Sequence, residues 1–291
     1  MPRTLARRVL LQQSRQRFPC INQATSLPVV LAGNASVLET LHSTAVGLPW
    51  WATIVTSTVA LRSCLTLPIA VYQQRSIGRM IQLAPMLQSW AETLKMQVAR
   101  ESKGKNMDYQ KYQSELQKQY RRKVSEIYAH HGCQRWKLLL LPYIQFPLFV
   151  SMTMTIRHLC GLELPYYGQL ADGPAAELAD GGFGWVTDLT VPDPTMVFPV
   201  LIGAGNLINV EMNAWLAKGK QTTTQKVLTN IFRVISLLFI PIAAQAPMAL
   251  GLYWFTSSWY SVAQNIAFRS NRVRQLLHLP IMDASKQQRK Q

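Results

Sequence analysis

Arg62 is a lone charge in an apolar run, about 49–71, that is long enough to cross a bilayer. Trp50 and Trp51 stand at one end of the run and Tyr72 at the other, where interfacial aromatic anchors sit. At ~1.5 Å of helical rise per residue, the guanidinium lies roughly 15–18 Å from either boundary, too deep to snorkel out. A charge there costs roughly 2.5–3.5 kcal/mol on insertion scales, so it must face water, a counter-charge or a polar cavity among helices. Thr58 and Thr66, one turn before and one turn after, continue a polar line on the same helical face.

Other apolar runs repeat the pattern. Asn206, Asn209 and Asn213 recur at i, i+3 and i+7, and Ser257, Ser261 and Gln264 at i, i+4 and i+7, while Gln145 lies between Pro142 and Pro147. Side chains so placed either line a hydrated groove that receives a polar passenger or bind one another as interhelical glue. The blander account of Arg62 is a structural ion pair. Glu211 is the only acid inside an expected span, but it lies near the end of its helix, which makes pairing at mid-depth strained. Arg233, near the same end of the next run, is expected to snorkel.

The chain carries no HExxH, GxSxG or Walker pattern, and Gly181-Gly182-Phe183-Gly184 lacks the strand context of a nucleotide loop. His130, His131 and Cys133 cluster at a helix end without a matching ligand group, so neither metal nor cofactor is expected. Cys20, Cys64, Cys133 and Cys160 show no CxxC spacing, which argues against a disulfide framework or zinc site.

The elements that would position these residues follow from how apolar and charged residues alternate. Of 291 residues 48% are hydrophobic, and the formal net charge is +16. Spans are expected at about 49–71, 138–156, 195–216, 227–244 and 247–268. Between the first two lies a wet insertion, 73–136, expected as a helix from Gln73 to about Glu101 bent near Pro85, a turn at Lys103–Asn106, and a helix from Tyr109 to His131 ending at Gly132. From Arg75 to Lys137 this segment holds thirteen Lys or Arg against five acids, a surface suited to lipid headgroups or a nascent chain, or simply a solvated face. The loop 160–194 holds six acids and no Lys or Arg. Basic loops stay on the side of synthesis or the matrix, so the hairpin is placed there and the acidic loop opposite. The expected fold is an all-α polytopic membrane protein: a five-helix transmembrane core, about 48–269, with a helical hairpin on the matrix side.

Residues 1–38 carry five arginines and no acid, as a mitochondrial targeting segment does, or alternatively a basic disordered tail. The final segment, 270–291, reads as a short basic tail in the matrix.

Five local patterns occur in order: Leu61-Arg62 followed by Leu67-Pro68; Leu83-Ala84-Pro85-Met86-Leu87-Gln88; Leu141 through Phe149; Trp185 through Pro194; and Gly251-Leu252-Tyr253-Trp254. Together they resemble the YidC/Oxa/Alb family of membrane-protein insertases over roughly Leu48–Arg269, and the acid-free leader points to its mitochondrial branch. In that family the hairpin's second helix often ends in Gly or Val followed by Asn-Pro, where Gly132-Cys133-Gln134 stands here. The resemblance implies a non-enzymatic insertase of the mitochondrial inner membrane, with a groove containing Arg62 and Gln145. Its client would be a mitochondrially encoded cytochrome c oxidase subunit, subunit 2, and its partners membrane lipid and assembly factors. Nucleic acid is not an expected partner. The short tail, unlike the long basic extension of the general mitochondrial form, implies no stable ribosome docking.

Insertion needs no covalent chemistry. It needs a lower cost for moving polar groups through hydrocarbon, which a water-filled groove at half depth supplies. Two other classes stand beside it. An anionic-solute carrier or channel would use Arg62 as its binding charge but would leave the large hairpin idle, and no internal repeat supports it. A non-catalytic assembly scaffold is the third class that the sequence leaves open.

Overall fold

The computed structural model describes residues 27–44, 48–104, 108–162, 175–216 and 223–279, and these are helical apart from loops and one isolated bridge, Phe183 to Val186. In order the helices are α1 (Leu27–Thr44), α2 (Trp50–Gln82), α3 (Ala84–Gly104), α4 (Tyr109–His130), α5 (Leu140–Leu159), α6 (Ala175–Ala179), α7 (Val197–Leu216), α8 (Thr223–Ala244), α9 (Met248–Ala267) and α10 (Asn271–Leu276). A 3-10 turn, Arg135–Leu139, leads into α5, and a π-turn, Arg62–Thr66, interrupts α2. The targeting residues 1–26, Lys105 and Asn106 of the hairpin turn, the acids Glu163 and Asp172, and Lys218 and Lys220 lie outside the described residues.

Three helical stretches, Trp50–Gln82, Trp136–Leu159 and Thr223–Ala244, are long and apolar enough to cross a membrane. α7 and α9 are comparably long but interrupt their apolar residues with Asn, Ser and Gln. Their packing explains why they tolerate this. α9 lies at the centre, against α2, α5 and α7, and is buried almost continuously from Met248 to Ser258. A helix ringed by protein can spend its surface on polar contacts, because no lipid has to be met. α8 packs on α7 and turns Val227, Ile231, Val234, Leu238 and Ile242 outward.

Two glycines set the distance of α7 from its neighbours. A Cβ on Gly203 would come within 2.4 Å of Ile240 on α8, and one on Gly205 within 2.5 Å of Ser258 on α9. Two residues apart, they lie on nearly opposite faces of α7, so backbone approaches backbone on both sides.

At the Trp50 end, the loop after α6 folds over the bundle, with Leu178, Val186 and Leu189 buried beneath it. Its carbonyls take up helix-start donors. Trp51 donates to Gly181 O at 3.1 Å, Met248 to Val191 O and Ala249 to Leu189 O, both at 2.8 Å. Asp193 caps α7, accepting from the Thr195 backbone and hydroxyl and from Phe198 N. Burial works against its ionisation, but the hydrogen bonds from Thr195, Phe198 and Val197 hold its carboxyl below the ordinary carboxylate range.

Three features differ from the sequence reading. Residues 27–38 form most of α1, which packs on α5 and α2 and buries Leu31, Ala35 and Leu38. Asn34 Nδ2 donates to Ser151 Oγ at 3.5 Å, and His42 stacks on Trp50 at 4.3 Å. The helix that begins at Trp50 does not pause near Tyr72, the end expected for the first span. It runs on to Gln82, breaks at Leu83, and α3 begins with Pro85 in its first turn, where a missing N–H costs nothing. Finally, α10 folds back under the bundle, so that Leu279 joins Ala70 of α2 and Phe268 in a buried cluster bordered by Leu67, Val71, Leu141, Val273 and Leu277. Arg75 Nη2 donates to Leu277 O at 3.2 Å, and Arg274, itself buried, to Phe268 O at 3.0 Å.

The hairpin α3–α4 is held by a small separate core of Leu87, Val124 and Ile127 with Leu83 and Tyr128. Its positive charge is carried on the remaining, exposed faces.

The fold-back of α10 separates two truncations. Removing residues 280–291 is expected to leave steady-state level and protease resistance unchanged. Removing 271–291 strips Leu279 from its cluster, where full burial of a leucine contributes about 1.5–3 kcal/mol, and should lower both. Equal behaviour of the two truncations in a pulse-chase would refute the packing role of α10.

Candidate functional site

Arg62 is reached from two neighbouring helices. Its Nη1 donates to Ser261 Oγ at 2.9 Å and its Nη2 to Ser257 Oγ, one turn apart on α9. On α5, Gln145, with its amide oriented as its neighbours require, presents its oxygen to Nη1 and Nη2, each at 3.3 Å. The Tyr260 ring stands 5.9 Å from the guanidinium carbon, and its hydroxyl lies 3.0 Å from Ser63 Oγ. Only 7% of Arg62 is exposed. Among the described residues no carboxylate lies within ion-pair distance of it. The guanidinium N–H groups are therefore met by neutral oxygens, and the positive charge itself is uncompensated.

The structural ion pair with Glu211 does not form. Glu211 instead takes Arg233 in a two-point contact, with Nη2 to Oε2 at 2.9 Å, and Asn230 accepts from Nη1 at 2.8 Å. Both partners are half-exposed and sit at the hairpin end of α7 and α8, so Arg233 is paired as well as placed for snorkelling.

Of the ten residues singled out from the sequence, four meet at one point: Arg62, Gln145, Ser257 and Ser261. Thr58 and Thr66 share the Arg62 face but are fully buried and spend their hydroxyls on backbone, Thr58 on Ile54 O at 2.6 Å and Thr66 on Arg62 O at 2.8 Å. The asparagines form a different cluster between α7 and α9. Asn206 accepts from Ser258 Oγ at 3.0 Å, Asn209 donates to Ser258 O at 3.1 Å and accepts from Asn265 at 2.9 Å, and Asn213 bonds back to Asn209 O. The bonds of Asn206 and Asn209 join α7 to α9, as polar glue between helices does, whereas Asn213 is exposed and bonds within α7. Gln264 lies half-buried one turn beyond Ser261 and is not among the groups that touch Arg62. The reading missed Tyr260 and Ser258. Tyr260 lies three residues past Ser257, a spacing that places it beside that face.

Apolar layers stand on both sides of the polar cluster. Toward the Trp50 end, Phe149 of α5 lies 5.7 Å from Tyr253 and 6.4 Å from Trp254, Phe239 of α8 meets Trp254 at 4.8 Å, and Trp254 Nε1 donates to Thr153 Oγ1. Toward the hairpin end stands the cluster of Ala70, Phe268 and Leu279. Among the described residues no group of three or more His, Cys, Asp or Glu side chains is placed to hold a metal ion. The arrangement is suited to holding a cation at half depth for an anionic visitor.

A model of the family described as "60Kd inner membrane protein" matches residues 41–275, which include every residue of the Arg62 cluster. The human "Cytochrome c oxidase assembly protein COX18, mitochondrial" is 37% identical over 259 residues, 88% of this chain and 75% of the human protein. The mouse "Mitochondrial inner membrane protein OXA1L" is 31% identical over 255 residues, 87% of this chain and 52% of that protein. The protein named as the first of these in Kluyveromyces lactis is 26% identical over 275 residues.

Ser257→Ala or Ser261→Ala leaves a guanidinium N–H without its acceptor in dry surroundings, which costs roughly 1–3 kcal/mol. Glu211→Gln touches a half-exposed pair and should cost little. Thermal unfolding in a mild detergent is expected to rank either serine variant below Glu211→Gln. The reverse order would mean that the serines do not hold Arg62.

Proposed function

We propose a function from one premise: the chain belongs to the 60Kd inner membrane protein family, the YidC/Oxa1 membrane insertases. The protein inserts into the mitochondrial inner membrane segments of a client that must be carried through hydrocarbon, and it does so in the assembly of cytochrome c oxidase. The names of the relatives support that setting. The client is a mitochondrially encoded subunit of that oxidase, subunit 2, and its acidic polar tail is what Arg62 receives.

The observation that carries this reading is the charge of Arg62, buried where α2 meets α5 and α9, which among the described residues has neutral oxygens and the Tyr260 ring around it and no carboxylate. A guanidinium in low dielectric attracts a carboxylate far more strongly than it would in water. Ser257, Ser261 and Gln145 can each release a hydrogen bond to the visitor and exchange it for water or for the client backbone, so the site gives up little when occupied. Being planar and forked, the guanidinium can also take a carboxylate at two points and stays charged at any physiological pH. The charge thus offsets part of the cost of bringing a polar tail to half depth.

In the membrane we place five spans, α2, α5, α7, α8 and α9, with the Trp50 end and the acidic loop in the intermembrane space. The hairpin α3–α4 and α10 lie in the matrix. Thirteen basic residues around the hairpin and none in the acidic loop support this orientation.

Protease added to mitoplasts with an intact inner membrane is expected to cut the 160–194 loop and to spare Tyr109–His130. Cleavage in the hairpin under those conditions would reverse the orientation.

Arg62→Ala is expected to accumulate normally, because no partner charge is left behind, while the client's acidic tail stays in the matrix. Arg62→Lys should keep much of the activity. Protein abundance and client topology, measured together, check this, and an abundant, fully active Arg62→Ala variant would reject Arg62 as the functional charge.

A further inference from the structure

The backbone of α2 changes its hydrogen-bond register at Arg62. Leu67 N donates to Arg62 O, five residues back and not four, and Thr66 Oγ1 donates to the same carbonyl at 2.8 Å. The next residue, Pro68, has no N–H for Cys64 O, and in a regular helix its ring would collide with that carbonyl. A widened turn removes the conflict by carrying one surplus residue.

That residue corrects a phase. At about 100° per residue, the eight steps from Arg62 to Ala70 overshoot two full turns by about 80°. One residue absorbed in the π-turn takes back about 100° and leaves the two within about 20° of each other. The burial pattern agrees, since Thr58, Arg62, Thr66 and Ala70 are 1%, 7%, 1% and 2% exposed, whereas Val59 and Leu65 are 39% and 51% exposed. Arg62 can therefore face Ser257 and Ser261 while Ala70, on the same helix, packs against Phe268 and Leu279.

We propose that Pro68 is the positioning residue for Arg62: it maintains the π-turn that aims the guanidinium at Ser257, Ser261 and Gln145 while the inner half of α2 stays docked. The proposal rests on the reading of Arg62 as the functional charge. Pro68→Ala restores an N–H and relieves the ring, so the regular ladder closes and the two halves of α2 turn relative to each other. Either Arg62 leaves its acceptors or Ala70 leaves its pocket.

The test compares Pro68→Ala, Arg62→Ala, the double variant, and Pro68→Ala with residue 64 deleted, which takes out the surplus residue and returns the halves to phase. Two quantities are read at matched abundance: translocation of the client's acidic tail, and N-ethylmaleimide labelling of an Ala70→Cys thiol in chains lacking Cys64. Pro68→Ala should lower translocation or raise labelling several-fold, the double variant should translocate no worse than Arg62→Ala, and deletion of residue 64 should repair the defect. A Pro68→Ala protein with full translocation and a protected thiol overturns the proposal. So does a defect that adds to that of Arg62→Ala and survives the deletion, which marks a general structural role. If Arg62→Ala itself keeps full activity, the reading of Arg62 falls, and the labelling alone decides whether Pro68 sets the phase of α2.

Discussion

A guanidinium buried among helices, with no carboxylate beside it among the described residues, is the constraint from which the rest of the architecture follows. Its N–H groups must be met or the helix does not insert, and neutral oxygens meet them without cancelling the charge. Those oxygens come from Ser257, Ser261 and Gln145, so α2, α5 and α9 must converge at one depth. Serines one turn apart, followed by Gln264 and Asn265, leave α9 too polar to face lipid. It has to be enclosed, and α7 helps to enclose it through the close approach that Gly205 permits. α8, packed through Gly203, then supplies an apolar outer surface. The least lipid-like helix ends up at the centre because the charge needs what it carries.

The same requirement accounts for the layers on either side. A buried cation gains from being sealed on both sides, and the structure places aromatic contacts toward one end of the bundle and an apolar cluster toward the other. The second layer is completed from outside the spans. Leu279, beyond α10, fills the space between Ala70 and Phe268, which ties the segment after α9 to the inner half of α2.

Much of this could be read from residue order, and what could not has physical reasons. Long apolar runs reveal α2, α5 and α8 because lipid selects their surfaces directly. α7 and α9 are marked by polar residues at helical spacing, but spacing gives a face and not what the face meets. The serines turn to Arg62, whereas the asparagines bind Ser258 and one another. α1 is hidden because an acid-free composition describes how a leader is read by import machinery and is silent on whether Leu31, Ala35 and Leu38 later pack. α10 is hidden by brevity and by its arginines, one of which, Arg274, is buried with a backbone carbonyl as acceptor. The π-turn leaves only Leu67-Pro68 as its trace, and a proline near a helix segment's start ordinarily signals a new helix and not a corrected phase.

The position of Glu211 closes the electrostatic argument. Across α2, α5, α7, α8 and α9 the one acid is Glu211, and had it reached Arg62 the buried charge would have been paired within the chain. Glu211 lies at the hairpin end of α7, where the half-exposed Arg233 of α8 meets it through two contacts. There the pair stays near water, so its desolvation is slight and its attraction modest. Arg62 keeps its charge because the acid that might have neutralised it is held some turns away by another arginine. Arg233 thereby bears on the Arg62 site without touching it, for while it holds Glu211 that acid is not available to the buried guanidinium.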